Sequence, residues 1–171
     1  MVRQSFTAFA SLGILVFVSP LWATDLILGT RAPLVSLRWA DEKAQAQTAW
    51  TSDALGGCVQ ALFYVDPDER AVNDHVSEAL ERERFPEAYF SSIAVINMDD
   101  TRIPDFILNR MLAAKQRRYP KAVFLRDFGR TLVHAWGLAE DSYDIVLFDE
   151  NGKVLLVSKG RMKDDVLKDF I

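Results

Sequence analysis

The stretch Val59-Gln60-Ala61-Leu62-Phe63-Tyr64-Val65, running into Asp66-Pro67-Asp68-Glu69 and then Val72, Val76, Ala79 and Leu80, decides the fold. Apart from Gln60 the first seven residues are continuously apolar, as a strand covered on both faces requires. The later apolar positions recur at helical spacing opposite a charged face, so residues 69–85 read as a helix. At such a strand-to-helix junction an exposed C-x-x-C pair would gain most, because a helix N-terminus stabilises a thiolate. No cysteine stands there. Asp66, Asp68 and Glu69 suit solvated N-capping, and they lack the glycine and distant glutamate of a calcium loop.

Outward from this pair the pattern alternates. Residues 92–98 (SIAVINM) form a second β-branched run, and Pro104 opens a second helix, where its missing N–H costs nothing. Ile107, Leu108, Met111 and Leu112 make its expected buried stripe, Lys115, Arg117 and Arg118 complement its dipole, and Tyr119-Pro120 stops it. Residues 122–125 read as a strand, Asp127-Phe128-Gly129 as a turn, and 131–136 as a short helix. Residues 144–148 and 153–158 flank Asp149-Glu150-Asn151-Gly152, an expected β-hairpin with an Asn-Gly pair at positive φ. Val166, Leu167, Phe170 and Ile171 mark a final amphipathic helix. Before all of this, Pro33 precedes a short strand at 34–37, and residues 38–57 form an excursion of weak periodicity. Strands alternating with helices require parallel pairing, and a terminal hairpin adds an antiparallel edge. The fold class is α/β, a three-layer sandwich on a central mixed sheet with a C-terminal hairpin and helix.

The first 23 residues read as an export signal. Arg3 supplies the positive start, residues 6–18 are nearly all apolar or small, Ser19-Pro20 breaks the run, and Ala23 suits the position before a cut. Gly13 and Pro20 favour cleavage over an uncleaved anchor, the one route by which this chain would meet a membrane. One domain, residues 24–171, follows. The formal net charge of −4 becomes about −5 when Arg3 is lost, and mild acidity argues against nucleic-acid binding. Cys58 is the one cysteine, so the chain makes no internal disulfide even in an oxidising compartment.

The order of elements resembles the thioredoxin-like superfamily in its thiol-reductase and peroxiredoxin-type variants. G-T-R-A-P-L-V-S-L (29–37), the strand–helix pair from Val59, and D-E-N-G-K-V-L-L-V-S-K-G (149–160) carry the likeness. More closely, I-N-M-D-D-T-R-I-P (96–104), Y-P-K-A-V-F-L (119–125), H-A-W-G-L (134–138) and the D-E-N-G-K hairpin resemble the YtfJ-type family of small periplasmic proteins. That resemblance implies a thioredoxin fold and a periplasmic address, and it supplies no reaction. Thioredoxin-like oxidoreductases place a cis-proline before the hairpin, facing the dithiol; counting back from Asp149, Tyr143 takes that place, and a trans peptide is expected.

Both halves of a thiol redox site are therefore replaced. The expected function is a non-redox binding or interaction module of the cell envelope. Asp66, Asn97, Asp99, Asp100 and Tyr143 are its candidate residues, at the strand carboxyl ends where open α/β sheets bind ligands. The expected partner is another envelope protein or a small ligand, with no cofactor and no metal. His75 and His134 lack ligand spacing, and capping duties compete with binding at Asn97, Asp99 and Asp100. A second class is a single-cysteine thiol oxidoreductase or peroxidase using Cys58, although free cysteines are commonly just buried. A third, a carboxylate hydrolase at Asp99 and Asp100, lacks a nucleophile or metal cluster. Trp136 is expected at the core edge and Lys159 at a solvated strand end.

Overall fold

Seven strands form one mixed sheet in the order β2-β1-β5-β4-β3-β6-β7 in the computed structural model, which describes residues 25–40, 49–99 and 101–171. The expected signal peptide and Asp100 lie outside the described residues. The strands are β1 (Ser36–Trp39), β2 (Trp50–Thr51), β3 (Val59–Val65), β4 (Phe90–Asn97), β5 (Val123–Asp127), β6 (Tyr143–Phe148) and β7 (Val154–Ser158). The helices are α1 (Asp74–Glu83), α2 (Asp105–Arg118), α3 (Thr131–Trp136) and α4 (Asp164–Phe170). β3 runs parallel to β4, and β4 to β5, while β6, β7, β1 and β2 pair antiparallel. The fold is thioredoxin-like, of the α/β class.

β3 is central because both its faces are apolar. Leu62 and Tyr64 enter one core with Val95, Leu125, Val146 and α3's Leu132 and Trp136; Ala61 and Phe63 enter a second with α1's Val76, Met162 and Ile145. Successive strand residues point to opposite faces, so one sequence run serves both layers. Trp136 is fully buried rather than at a core edge, with its indole Nε1 donating to the Pro33 carbonyl at 2.8 Å. On the α1 face, β4 and β5 present Ala94, Ile96 and Phe124 toward α2's Leu112.

Several boundaries differ from the sequence expectation, each for a local reason. The first strand begins at Ser36, because the 33–35 segment is held by Ser52: its hydroxyl donates to the Pro33 carbonyl and accepts the Val35 N–H. The helix expected from residue 69 begins at Asp74, because Pro67 seeds a separate 3₁₀ turn, Pro67–Glu69, capped by Asp66. In the hairpin Gly152 alone among 149–152 has positive φ, so the loop is a four-residue turn closed by Gly152 N–H to Asp149 C=O, not a two-residue Asn-Gly turn. A Cβ on Gly152 would fall 2.5 Å from the Leu55 carbonyl, so the position also demands glycine sterically. In α2, Leu108 and Leu112 are buried but Ile107 faces solvent. No described helix is long and apolar enough to cross a membrane.

Candidate functional site

The junction after β3 is built to hold itself together. Asp66 is buried; its carboxylate accepts the Asp68 N–H at 2.7 Å, and its own N–H donates to the Ser142 carbonyl at 2.9 Å. Because the 3₁₀ turn intervenes, residue 66 lies eight positions before α1 begins and is removed from that helix's N-terminal field. Asn73, at α1's N-cap position, spends its side chain elsewhere. Its amide donates to the carbonyls of Tyr143 and Gly160, both at 2.9 Å, and its Oδ1 accepts the Met162 N–H at 2.8 Å.

The other polar residues at the strand carboxyl ends have similar duties. Asn97 is buried and accepts the Asp99 N–H at 3.1 Å, and the Asp99 carboxylate accepts the Gly129 N–H. Asp127, not singled out from sequence, accepts the first free N–H groups of α3 from Thr131 and Leu132 at 2.8 and 2.9 Å. Asp144 accepts from Ala139 N–H, Ser142 hydroxyl and Gly160 N–H at 2.7, 2.6 and 2.9 Å. These carboxylates fasten the loops they sit in. Asp100 lies outside the described residues, and no group of three potential metal ligands exists among those described. His75 stitches α1 to the start of α4: Nε2 lies 3.0 Å from the Met162 carbonyl, while Nδ1 faces Arg161 Nη1 at 3.1 Å. His134 is exposed on α3.

Tyr143 is buried beneath α1, edge-on to Phe63 with ring centroids 6.2 Å apart. Burial pushes its phenol up to about 12, against a smaller opposing effect from the Ser77 hydrogen bond. Among the described residues there is no cis peptide bond. Cys58 sits at the other end of the strand. It precedes β3 rather than belonging to it, half-buried, with Sγ 3.5 Å from Ser91 Oγ. Eight residues at ~3.3 Å each separate it from Asp66 by roughly 26 Å along the sheet. Cys58 lies at the opposite end of the sheet from Asp66, Asn97, Asp99 and Tyr143.

What the structure opens instead is a cleft of about 650 Å³ between α1 and α2, over the β3–β4–β5 face. Phe63, Ala94, Ile96 and Phe124 floor it, Leu112 and Met111 wall it, and Tyr143 borders it from below. Of the described candidate site residues (Cys58, Asp66, Asn97, Asp99 and Tyr143), Tyr143 alone lines this space. Small residues make the room: Ser92, Ala94 and Ala122 lie along the floor where larger side chains would fill it. Ser92 and Ala94 on one face of β4, with Ala122 just before β5, were the available sequence signal. Glu81 on α1 bridges the mouth to Arg118 at 3.0 Å and to the Tyr119 hydroxyl at 3.4 Å. The Glu81 hydrogen bond raises Arg118, and burial followed by the Glu81 charge raises Tyr119.

Residues 35–171 match a family described as a bacterial protein of unknown function, YtfJ_HI0045. The chain belongs to that family. It is similar to an uncharacterized protein of Haemophilus influenzae, 25% identical over 165 residues, covering 91% of this chain and 89% of that one. Among solved structures it is similar to the thiol peroxidase from Chromobacterium violaceum, with a TM-score of 0.59 at 13% identity, covering 88% of this chain and 89% of that one. It is also similar to the exposed lipoprotein thioredoxin of Streptococcus pneumoniae, with a TM-score of 0.55 at 12% identity, covering 80% and 99%. At these identities the structural likeness is one of fold, and function lives in the site.

Proposed function

We propose that this YtfJ_HI0045 family member is a periplasmic, non-redox binding module of the cell envelope. The observation that carries the reading is the turn after β3, where Asp66-Pro67-Asp68-Glu69 stands and the Asp66 carboxylate caps its own turn. A thiol-exchange site needs a thiolate that is exposed and electrostatically favoured. The single cysteine stands at the amino end of β3, half-buried against Ser91. A leader with a positive start and an apolar centre supports export. The cleft between α1 and α2 supplies a binding space of the size small-molecule sites occupy, roughly 300–1,000 Å³.

The test is a crosslinking capture from the intact envelope of a producing bacterium, followed by mass analysis of what is retained, small molecules included. A specific component held by the wild type, and lost when the cleft is filled by Ala94→Leu, agrees with the proposal. Recovery of the bare protein under all conditions contradicts it.

A further inference from the structure

Five of the side chains around the cleft are cationic (Arg70, Arg84, Lys115, Arg118 and Lys121), and two are carboxylates, Glu81 and Glu87. This excess of positive charge is carried by a chain whose formal net charge is −4. Two of the cations are spoken for: Arg118 pairs with Glu81 at 3.0 Å, and Lys121 pairs with Glu87. Arg70 donates to the Pro67 carbonyl at 2.9 Å. Arg84 and Lys115 are left without a carboxylate partner among the described residues, one from each flanking helix. Lys115 stands only over the Tyr119 ring, 5.9 Å from its centroid.

Arg84 adds a second observation. It ends α1 in the left-handed conformation, φ 51°, where glycine or asparagine is the cheaper residue. A non-glycine residue held there at the lip of a cavity is the kind of local strain that collects at binding sites. Beneath this charged lip the floor is Phe63, Ala94, Ile96, Leu112 and Phe124, without a charged side chain. A small polar anion would leave that floor uncovered, and a neutral hydrocarbon would gain nothing from the two exposed cations. The sequence between Ala40 and Ala49, D-E-K-A-Q-A-Q-T, is too polar to complement the floor.

We infer that the cleft binds a single-chain anionic amphiphile, its acyl chain along the β4–β5 floor and its carboxylate or phosphate head between Arg84 and Lys115. This rests on the binding-module reading and names the ligand class for it. A free fatty acid and a lysophospholipid share this chemistry, and the experiment separates them.

The purified full chain is titrated with palmitate, with palmitoyl-lysophosphatidylglycerol and with the neutral alcohol of equal chain length, each below its aggregation threshold, and binding is read by calorimetry. Saturable binding of at least one anionic probe, tenfold or more tighter than the alcohol, is expected. The stronger of the two anionic probes identifies the source. Arg84→Gln combined with Lys115→Gln is expected to weaken the anionic probe at least tenfold and to leave the alcohol unchanged. Ala94→Leu is expected to weaken all three. Equal affinity for alcohol and anion, or no saturable binding by any probe, overturns the inference. So does a doubling of the molecular mass that Ala94→Leu abolishes, since a second copy would then be the occupant. Failure here with a specific component still captured from the envelope removes the ligand class alone; failure of both removes the module.

Discussion

Asn73 and Tyr143 are joined by a buried hydrogen bond: the Asn73 amide donates to the Tyr143 carbonyl at 2.9 Å. One side chain thus ties the start of α1 to β6, and through Gly160 and Met162 to the segment leading into α4. At Tyr143, the position matched by resemblance to the cis-proline of thioredoxin-like oxidoreductases, this chain has an internal fastening.

Removing that fastening strands buried groups. Asn73→Ala leaves two carbonyls and the Met162 N–H without their partner, each costing about 1–3 kcal/mol where water does not replace it. A loss of more than 2 kcal/mol is expected in urea unfolding with an unchanged m-value. A loss under 0.5 kcal/mol would show that water substitutes there and that the clamp carries no weight.

Alkaline pH should find Tyr143. Its phenol is raised in the folded protein to about 12 from an ordinary value of 10.0. A raised folded value favours the protonated form, so its contribution is fully present below pH 10 and is lost as pH climbs toward 12. The two-unit displacement corresponds to about 2–3 kcal/mol at most. Unfolding free energies measured from pH 9 to 12 should fall in the wild type and fall less in Tyr143→Phe. Parallel slopes in the two proteins would contradict the assignment.

Gly152 is fixed by both backbone and space. Gly152→Ala must adopt φ near 72° and displace the Leu55 carbonyl, where a Cβ would stand at 2.5 Å. A cost of about 1–3 kcal/mol is expected in thermal or urea unfolding. Gly29, also at positive φ but with open space around a Cβ, serves as the milder comparison.

The Glu81–Arg118 bridge is half exposed on both sides, so it should matter to titration rather than to stability. Glu81→Gln is expected to leave the urea midpoint essentially unchanged while lowering the Tyr119 phenol toward its ordinary value, since the Glu81 charge is part of what raises it. Ultraviolet titration of tyrosinate, compared with Tyr119→Phe to assign the step, checks this. An unmoved titration step would show that burial alone sets Tyr119.

Much of the architecture was legible because periodicity survives in the sequence: β3, with both faces apolar, and α3 fall where the pattern puts them. Boundaries moved where a single polar contact competes with periodicity, as when Asp66 and Pro67 build a 3₁₀ turn and delay α1 to Asp74. The roles of Asp127 and Asp144 were illegible for the same reason. A carboxylate that fastens a loop through Thr131 and Leu132, or through Ala139 and Gly160, looks in sequence like any turn acid. Arg84 and Lys115, 31 positions apart in sequence, both line the cleft, and no local pattern encodes that.

The most direct test of the central claim is turnover at sulfur. The purified protein and its Cys58→Ser variant are assayed for dithiothreitol-coupled reduction of insulin disulfides and for peroxide consumption. Equal rates at the uncatalysed background in both proteins are predicted. A wild-type rate well above background that Cys58→Ser abolishes would contradict the account.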